Sequence, residues 1–310
     1  MRIMEEMIKR GGDDVSKCFA CPRECGAERD VKKGYCGQST AFRIARAALH
    51  MWEEPCISGE RGSGTVFFSG CNLGCVFCQN YRVSHRGQGI EISADELTQK
   101  MLDLQEQGAH NINLVTPTHY AEQLVPVLKK VKPQLRIPIA YNTGGYEKTE
   151  TPEMLAPYVD IWMPDFKFGS AQIAKDYAGA PDYPEVAARA IAKMYELAGG
   201  VQFDADGMMQ RGVLVRHLVL PGCRKDSMAV LDRLAEIVPV QDVRLSLMSQ
   251  YTPDFAADAP FANLHRRVTS FEYESVMAHA QKLGFIGYMQ ERESATAKYT
   301  PEFEGEDIKI

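Results

Sequence analysis

An α/β fold built on parallel strands is what this sequence predicts, and three observations predict it. Strand-like apolar runs alternate with amphipathic stretches from residue 64 onward, the pattern of parallel strands joined by crossover helices. The amphipathic stretches carry helix start and stop signals of their own. A cysteine loop follows the first core strand, at the end of a parallel barrel where active sites collect. Six or seven strand–helix units are too few for an eightfold barrel and suit an open or partial one.

The elements follow in order. "TVFFSG" reads as a short apolar strand ending in Gly70. "SADELTQKMLDLQEQG" reads as a helix, with Ser93 as its cap, Glu96 closing the S-x-x-E box and Gly108 stopping it. "NINLVT" is a strand, and "YAEQLVPVLKKV" a helix with Pro126 as a kink. "RIPIAYN" and "YVDIWMPD" are strands, followed by helices in "AQIAKDYAG" and "YPEVAARAIAKMYELAGG". "VQFDADGMMQRGVLVRHLVL" reads as a hairpin turning at Asp206-Gly207 and feeding another core strand. "SMAVLDRLAEIV", "VRLSLMSQY", "SFEYESVMAHAQKLG" and "FIGYM" continue as helix, strand, helix and strand. Three regions are expected: a cysteine-rich, irregular extension over residues 1–60, a barrel over 61–291, and a loose tail over 292–310 that ends "EFEGEDIKI".

A chain of 310 residues buries roughly three quarters of the surface its unfolded form exposes, so its core needs no disulfide staples. Its 45% hydrophobic and 25% charged residues are ordinary for a globular protein. A formal net charge of -6 argues against nucleic acid, whose phosphates call for a basic face. No run of about 18 apolar residues appears, so no membrane span is expected. The opening "MRIMEEMIKRGGDD" has acidic residues where a signal peptide is apolar. The expected location is therefore the cytoplasm. In that reducing compartment nine cysteines suit ligands or free thiols better than disulfides.

Those cysteines cluster. "SGCNLGCVFCQN" places Cys71, Cys75 and Cys78 in a C-x3-C-x2-C spacing. A four-iron cluster usually takes four thiolates. Three leave one iron open to a substrate or cofactor. Gly70 and Gly74 allow a tight curl and let amides approach cluster sulfurs, and Phe77 offers an apolar face for a ring. Further upstream, Cys18, Cys21, Cys25 and Cys36 follow C-x2-C-x3-C-x10-C. Four soft ligands suit tetrahedral zinc, which stabilises a loop-rich segment outright. A second four-iron cluster with an electron-relay role is the alternative. Cys56 and Cys223 read as unpaired.

Cys71-x3-Cys75-x2-Cys78 with Phe77 resembles the signature of the radical S-adenosylmethionine (SAM) enzymes. "SGCNLGCVFCQN", "VTPTHY", "YNTGGY", "MPDFKF", "RHLVLPG" and "MSQYTP" resemble, more narrowly, the PflX-type subgroup related to the pyruvate formate-lyase activating enzyme. The resemblance spans residues 18–291. It implies a partial, roughly (β/α)6, TIM-like barrel. It also implies a [4Fe-4S] cluster on Cys71, Cys75 and Cys78, with SAM bound to the open iron through its amino and carboxylate groups. Reductive cleavage of SAM to a 5'-deoxyadenosyl radical for hydrogen abstraction follows from the same resemblance, an oxidoreductase chemistry in which the cofactor carries the difficult step.

The other blocks imply SAM-binding residues by position. Activating enzymes carry a Gly-Gly-Glu-Pro type motif after the second strand. Here Val115-Thr116-Pro117-Thr118-His119 stands instead, so the hydroxyls of Thr116 and Thr118 take that place without the carboxylate. Asn142 and Thr143 match positions near the methionine end. Asp165 and Lys167 match an Asp-x-Lys pattern suited to a sulfonium and a carboxylate. Arg216 and the Pro221-Gly222 turn match the next strand. Met248-Ser249-Gln250-Tyr251 replaces a histidine motif, and His119 and Gln250 are further polar candidates. The departures bear on the glycyl-radical activase reaction and not on SAM cleavage. The partners implied are an electron donor such as flavodoxin or ferredoxin and, for an activase, a glycyl radical enzyme as protein substrate. The competing class is a non-catalytic iron–sulfur or zinc protein, an electron carrier or assembly module. A labile iron that binds SAM separates the two.

Overall fold

The computed structural model describes residues 17–289. The expected tail and the opening fourteen residues lie outside that span. Ten strands form one sheet in the order β10-β9-β8-β6-β5-β4-β2-β1-β3, with β7 pairing on β8. The strands are β1 (Phe42–His50), β2 (Ser63–Phe68), β3 (Ile90–Ile92), β4 (Ile112–Val115), β5 (Ile139–Thr143), β6 (Ile161–Pro164), β7 (Gln202–Phe203), β8 (Met209–Leu218), β9 (Arg244–Met248) and β10 (Gly287–Met289). The pairs β2–β4, β4–β5, β5–β6, β6–β8, β8–β9 and β9–β10 are parallel. This is the α/β architecture expected, an open, partial barrel. Among the described residues no helix is long and apolar enough to cross a membrane.

The helices sit where their caps say. Ala94–Glu106 opens on the expected capping box, Ser93 accepting from the Glu96 amide and Glu96 from the Ser93 amide. Ala121–Val131 continues through Pro126. Helices Tyr183–Ala198 and Arg224–Ile237 bury Ile191, Met194, Leu231 and Leu234. They contribute these side chains to the same core as Val213 and Val215 of β8.

One expectation needs correction. Residues 42–50, placed in an irregular extension, form β1, which pairs antiparallel with both β2 and β3 and carries a register shift between Ile44 and Arg46. The reason is burial. Phe42, Ile44 and Ala45 are buried, and β1 covers the edge of β2 that would otherwise be left unpaired. After β1 the chain turns back as the short helix Pro55–Ser58. Its Cys56 and Ile57 pack in one cluster with Ala140, Ile161, Met163 and Leu214.

That cluster defines the inner face of the barrel. Strand side chains alternate, so Tyr141, Trp162 and Val215 belong to the outer, helix-covered core, while Ala140, Ile161, Met163 and Leu214 face in. Two residues further along the strands, the same phase carries Asn142, Asp165 and Arg216. The inner face is thus apolar toward the strand N-termini and charged toward their C-termini.

Candidate active site at the carboxyl ends of the strands

The cysteine loop leaves the end of β2 and lines a cavity at the strand C-termini. Cys71, Cys75, Phe77 and Cys78 meet Thr116, Asn142, Asp165, Lys167 and Arg216 there, with Gln250 and Tyr251 on the far wall. Six of the seven side chains matched to SAM binding therefore share one cavity with the three cysteines. Thr118 does not line it. Its buried hydroxyl instead donates to Glu147 Oε1 at 2.5 Å, because the turn after β4 sends it behind the wall.

The backbone is bent to suit. Gly70 and Gly74 have φ of 85° and 70°, conformations that a side chain disfavours. Thr116 has φ of 57°, rare for a β-branched residue and costing on the order of 1–3 kcal/mol. A hydrogen bond from its amide to Asn142 O at 2.8 Å helps hold it. Phe77 is held by Phe168, Tyr177 and Tyr251 at centroid distances of 6.2, 6.2 and 6.3 Å.

A charge network occupies the floor. Arg216 donates through Nε to Asp165 Oδ1 at 3.1 Å, through Nη1 to Glu53 Oε2 at 3.3 Å and through Nη2 to Asn142 Oδ1 at 2.6 Å. Lys167 Nζ donates to Asp165 Oδ2 at 2.5 Å. Burial works against the Asp165 charge, but Arg216 and Lys167 outweigh it and hold the carboxyl below its usual range. Burial pushes Glu53 and Glu54 the other way, with Arg216 opposing. Glu53 also accepts from Asn113 Nδ2 at 3.0 Å. Both glutamates belong to the segment between β1 and the Pro55–Ser58 helix. Sequence reasoning missed them, although two adjacent acids inside the apolar run "LHMWEEPCI" were a usable signal.

Other candidates fall elsewhere. His119 is buried, its Nε2 2.8 Å from Ser69 O, and burial lowers its pKa to about 3. It supports the strand end behind the cavity. Cys223 is buried near the Tyr177 hydroxyl at 3.8 Å, in a separate groove with Arg224, Asp226 and Phe271.

The thiols fit a ligand role in their chemistry. Burial raises the Cys75 pKa to about 12, with Lys167 opposing and the neighbouring thiols adding to the rise. Cys78 is raised by burial as well, while Ser84 Oγ donates to its sulfur at 3.2 Å. Alone, these thiolates are costly. A bound metal centre supplies the compensating positive charge and expels the protons. Among the described residues no three His, Cys, Asp or Glu side chains are arranged to hold one metal ion. A cluster that gives each thiolate its own iron makes no such demand. In the N-terminal segment Cys21 and Cys36 are buried and Cys25 is exposed. Burial raises the Cys21 pKa to about 12. Cys25 and Cys36 both stand 3.5 Å from the place a Gly34 Cβ would take.

A family model for the Radical SAM superfamily matches residues 65–209. The uncharacterized protein MJ0674 of Methanocaldococcus jannaschii is 25% identical over 277 residues, 86% of this chain and 74% of that protein. Streptococcus suis SuiB, solved bound to its precursor peptide SuiA, shares the fold with a TM-score of 0.50 at 14% identity, over 71% of this chain. The alignment takes in 46% of SuiB, so the chain spans about half the length of that protein. A domain of pyruvate-formate lyase-activating enzyme from Bacteroides vulgatus aligns at 15% identity with a TM-score of 0.41, over 56% of this chain and 92% of that one. The superfamily implies a [4Fe-4S] cluster and SAM. Cys71, Cys75 and Cys78 would hold the first, and the polar wall of the same cavity would face the second. The match to the Radical SAM model covers residues 65–209, the stretch that carries the cysteine loop and strands β3 to β7.

Proposed function

We propose that this chain is a radical SAM enzyme that cleaves SAM reductively and abstracts a hydrogen atom from its substrate. When bound, the cluster supplies the electron that splits SAM into methionine and a 5'-deoxyadenosyl radical, which takes the hydrogen atom and leaves as 5'-deoxyadenosine. The observation that carries the reading is the shared cavity, where the three cysteines and the Asp165–Lys167–Arg216 network open onto the same space. An electron carrier has no use for a polar chamber beside its cysteines.

The polar groups suit the charged end of SAM. Burial pushes Glu53 and Glu54 toward their protonated forms, which leaves Asp165 as the carboxylate that Arg216 and Lys167 hold charged. Lys167 has donors beyond the one spent on Asp165 and can take a carboxylate. Thr116 and Asn142 add a hydroxyl and an amide at the same wall.

Beyond cleavage, we assign the chain to the PflX-type subgroup and take a glycyl radical enzyme as the protein substrate to test first. Flavodoxin or ferredoxin would supply the electron. Cys18, Cys21, Cys25 and Cys36 would bind a second cluster or, once their side chains draw together, zinc. The test is anaerobic reconstitution with iron and sulfide, then reduction with SAM present. Formation of 5'-deoxyadenosine is expected, and none from the variant with Cys71, Cys75 and Cys78 all changed to Ala. Asp165→Asn should load iron normally yet bind SAM about 1–3 kcal/mol more weakly, the scale of a charge-assisted hydrogen bond. Wild-type turnover in the triple variant would sink the reading.

A further inference from the structure

Arg23 stands between Cys21 and Cys25, yet its guanidinium serves the other cysteine loop. Nε donates to Asn72 O at 2.7 Å and Nη2 to Leu73 O at 3.0 Å. Both acceptors lie between Cys71 and Cys75. The same group donates to Ala178 O at 2.7 Å and Gly179 O at 2.5 Å, at the C-terminal end of the helix Ala171–Ala178. The guanidinium also lies over the rings of Tyr35 and Tyr146, 4.2 and 5.2 Å from their centroids. A planar fork with five donors can bind this many carbonyls at once.

The loop is fastened on its other sides too. Asn72 Nδ2 donates to Tyr146 O at 2.7 Å, and the Val76 amide donates to Tyr177 O at 2.9 Å. Gly70, at the start of the loop, lies so close to the N-terminal segment that a Cβ there would stand 2.4 Å from Cys36 O. Two peptide carbonyls in a turn cannot satisfy each other, and a buried one left unpaired costs about as much as a lost hydrogen bond. Arg23 is what satisfies Asn72 O and Leu73 O.

We propose that Arg23 is a positioning residue for the three-cysteine loop, and that through it the N-terminal cysteine segment holds that loop in the shape that receives a cluster. The inference rests on the radical SAM reading for what the loop is for. Arg23 touches no reacting atom. It acts by fixing the peptide planes between Cys71 and Cys75, and so the separation of two thiolates that must reach different irons.

Amide hydrogen exchange on the metal-free full-length protein tests this without any activity. In Arg23→Ala the Val76 amide should exchange at least about tenfold faster than in wild type, the scale of one charge-assisted hydrogen bond. The Cys18 and Gly26 amides, bonded within the N-terminal segment to Ala27 O and Cys18 O, should keep their protection. General loosening of that segment would remove theirs as well. Arg23→Lys keeps the charge but not the fork, and should not restore Val76 protection. In reconstituted protein, SAM titrated against the electron paramagnetic resonance signal of the reduced protein should bind about tenfold more weakly to Arg23→Ala. Wild-type protection at Val76, or full rescue by lysine, overturns the proposal. If wild-type protein itself fails to cleave SAM, the functional reading falls instead, and the exchange result stands on its own.

Discussion

Two cysteine groups in one chain are built on opposite principles. Cys71, Cys75 and Cys78 hang from the end of β2, whose six residues are all buried. Their loop is shaped by strands on one side and by Phe168, Tyr177 and Tyr251 on the other. Cys18, Cys21, Cys25 and Cys36 lie in residues 17–41, where turns and a single bridge between Lys17 and Glu28 take the place of helix and strand. Arg29, donating to the carbonyls of His119 and Ser39, ties that segment to the barrel, as Arg23 does. The barrel loop inherits its geometry from a core. The N-terminal segment has little core of its own, so its shape leans on those ties to the barrel.

The comparison is broken most severely by cutting the ties that hold the N-terminal segment to the barrel. With Arg23 and Arg29 both changed to Ala, residues 17–41 should become open to protease while the barrel from residue 42 survives as a resistant fragment. Equal protection of both regions in that double variant would mean that the N-terminal segment holds its shape without the barrel.

A smaller but still large effect is expected inside the barrel. Arg216→Met leaves Glu53 without its cation and Asp165 with Lys167 alone. Removing one partner from a buried ion network costs about 3–5 kcal/mol, readable as a shifted denaturant midpoint. A loss below about 1 kcal/mol would mean that the network is solvated and not part of a dry floor.

The mildest test concerns Glu147, which accepts from Thr118 and Thr143 at the edge of the cavity wall. Burial raises its pKa from 4.5 to about 7, against the pull of those hydroxyls. The folded state therefore holds a proton that the unfolded state has lost between these values. Its contribution to stability is present below pH 4.5 and disappears as pH rises toward 7, by up to on the order of 3 kcal/mol. In Glu147→Gln that slope should vanish, and an unchanged slope would show that some other group titrates. The effect should appear in stability and leave iron loading at Cys71, Cys75 and Cys78 intact, which keeps the two regions distinguishable.

Much of this was legible in the sequence where the signal was local. Ser93 and Glu96 announce a helix start because a capping box closes within four residues. Cys71, Cys75 and Cys78 announce a shared loop because they fall within eight residues just after one strand. The alternation from residue 64 onward announces parallel strands because crossover connections need a helix of their own length. Asp165 and Lys167 could be placed on one side of a strand end by their two-residue spacing alone. Tertiary structure decided whatever depends on partners distant in sequence. Phe42, Ile44 and Ala45 become a strand only because β2 offers an open edge. Glu53 enters the barrel because Arg216, 163 residues away, needs a counter-charge there. Thr118 turns from the cavity to Glu147, and Arg23 crosses from one cysteine group to the other. Periodicity and spacing record what a residue does with its neighbours along the chain. Burial and charge balance are properties of the folded volume, and no window of the sequence contains them.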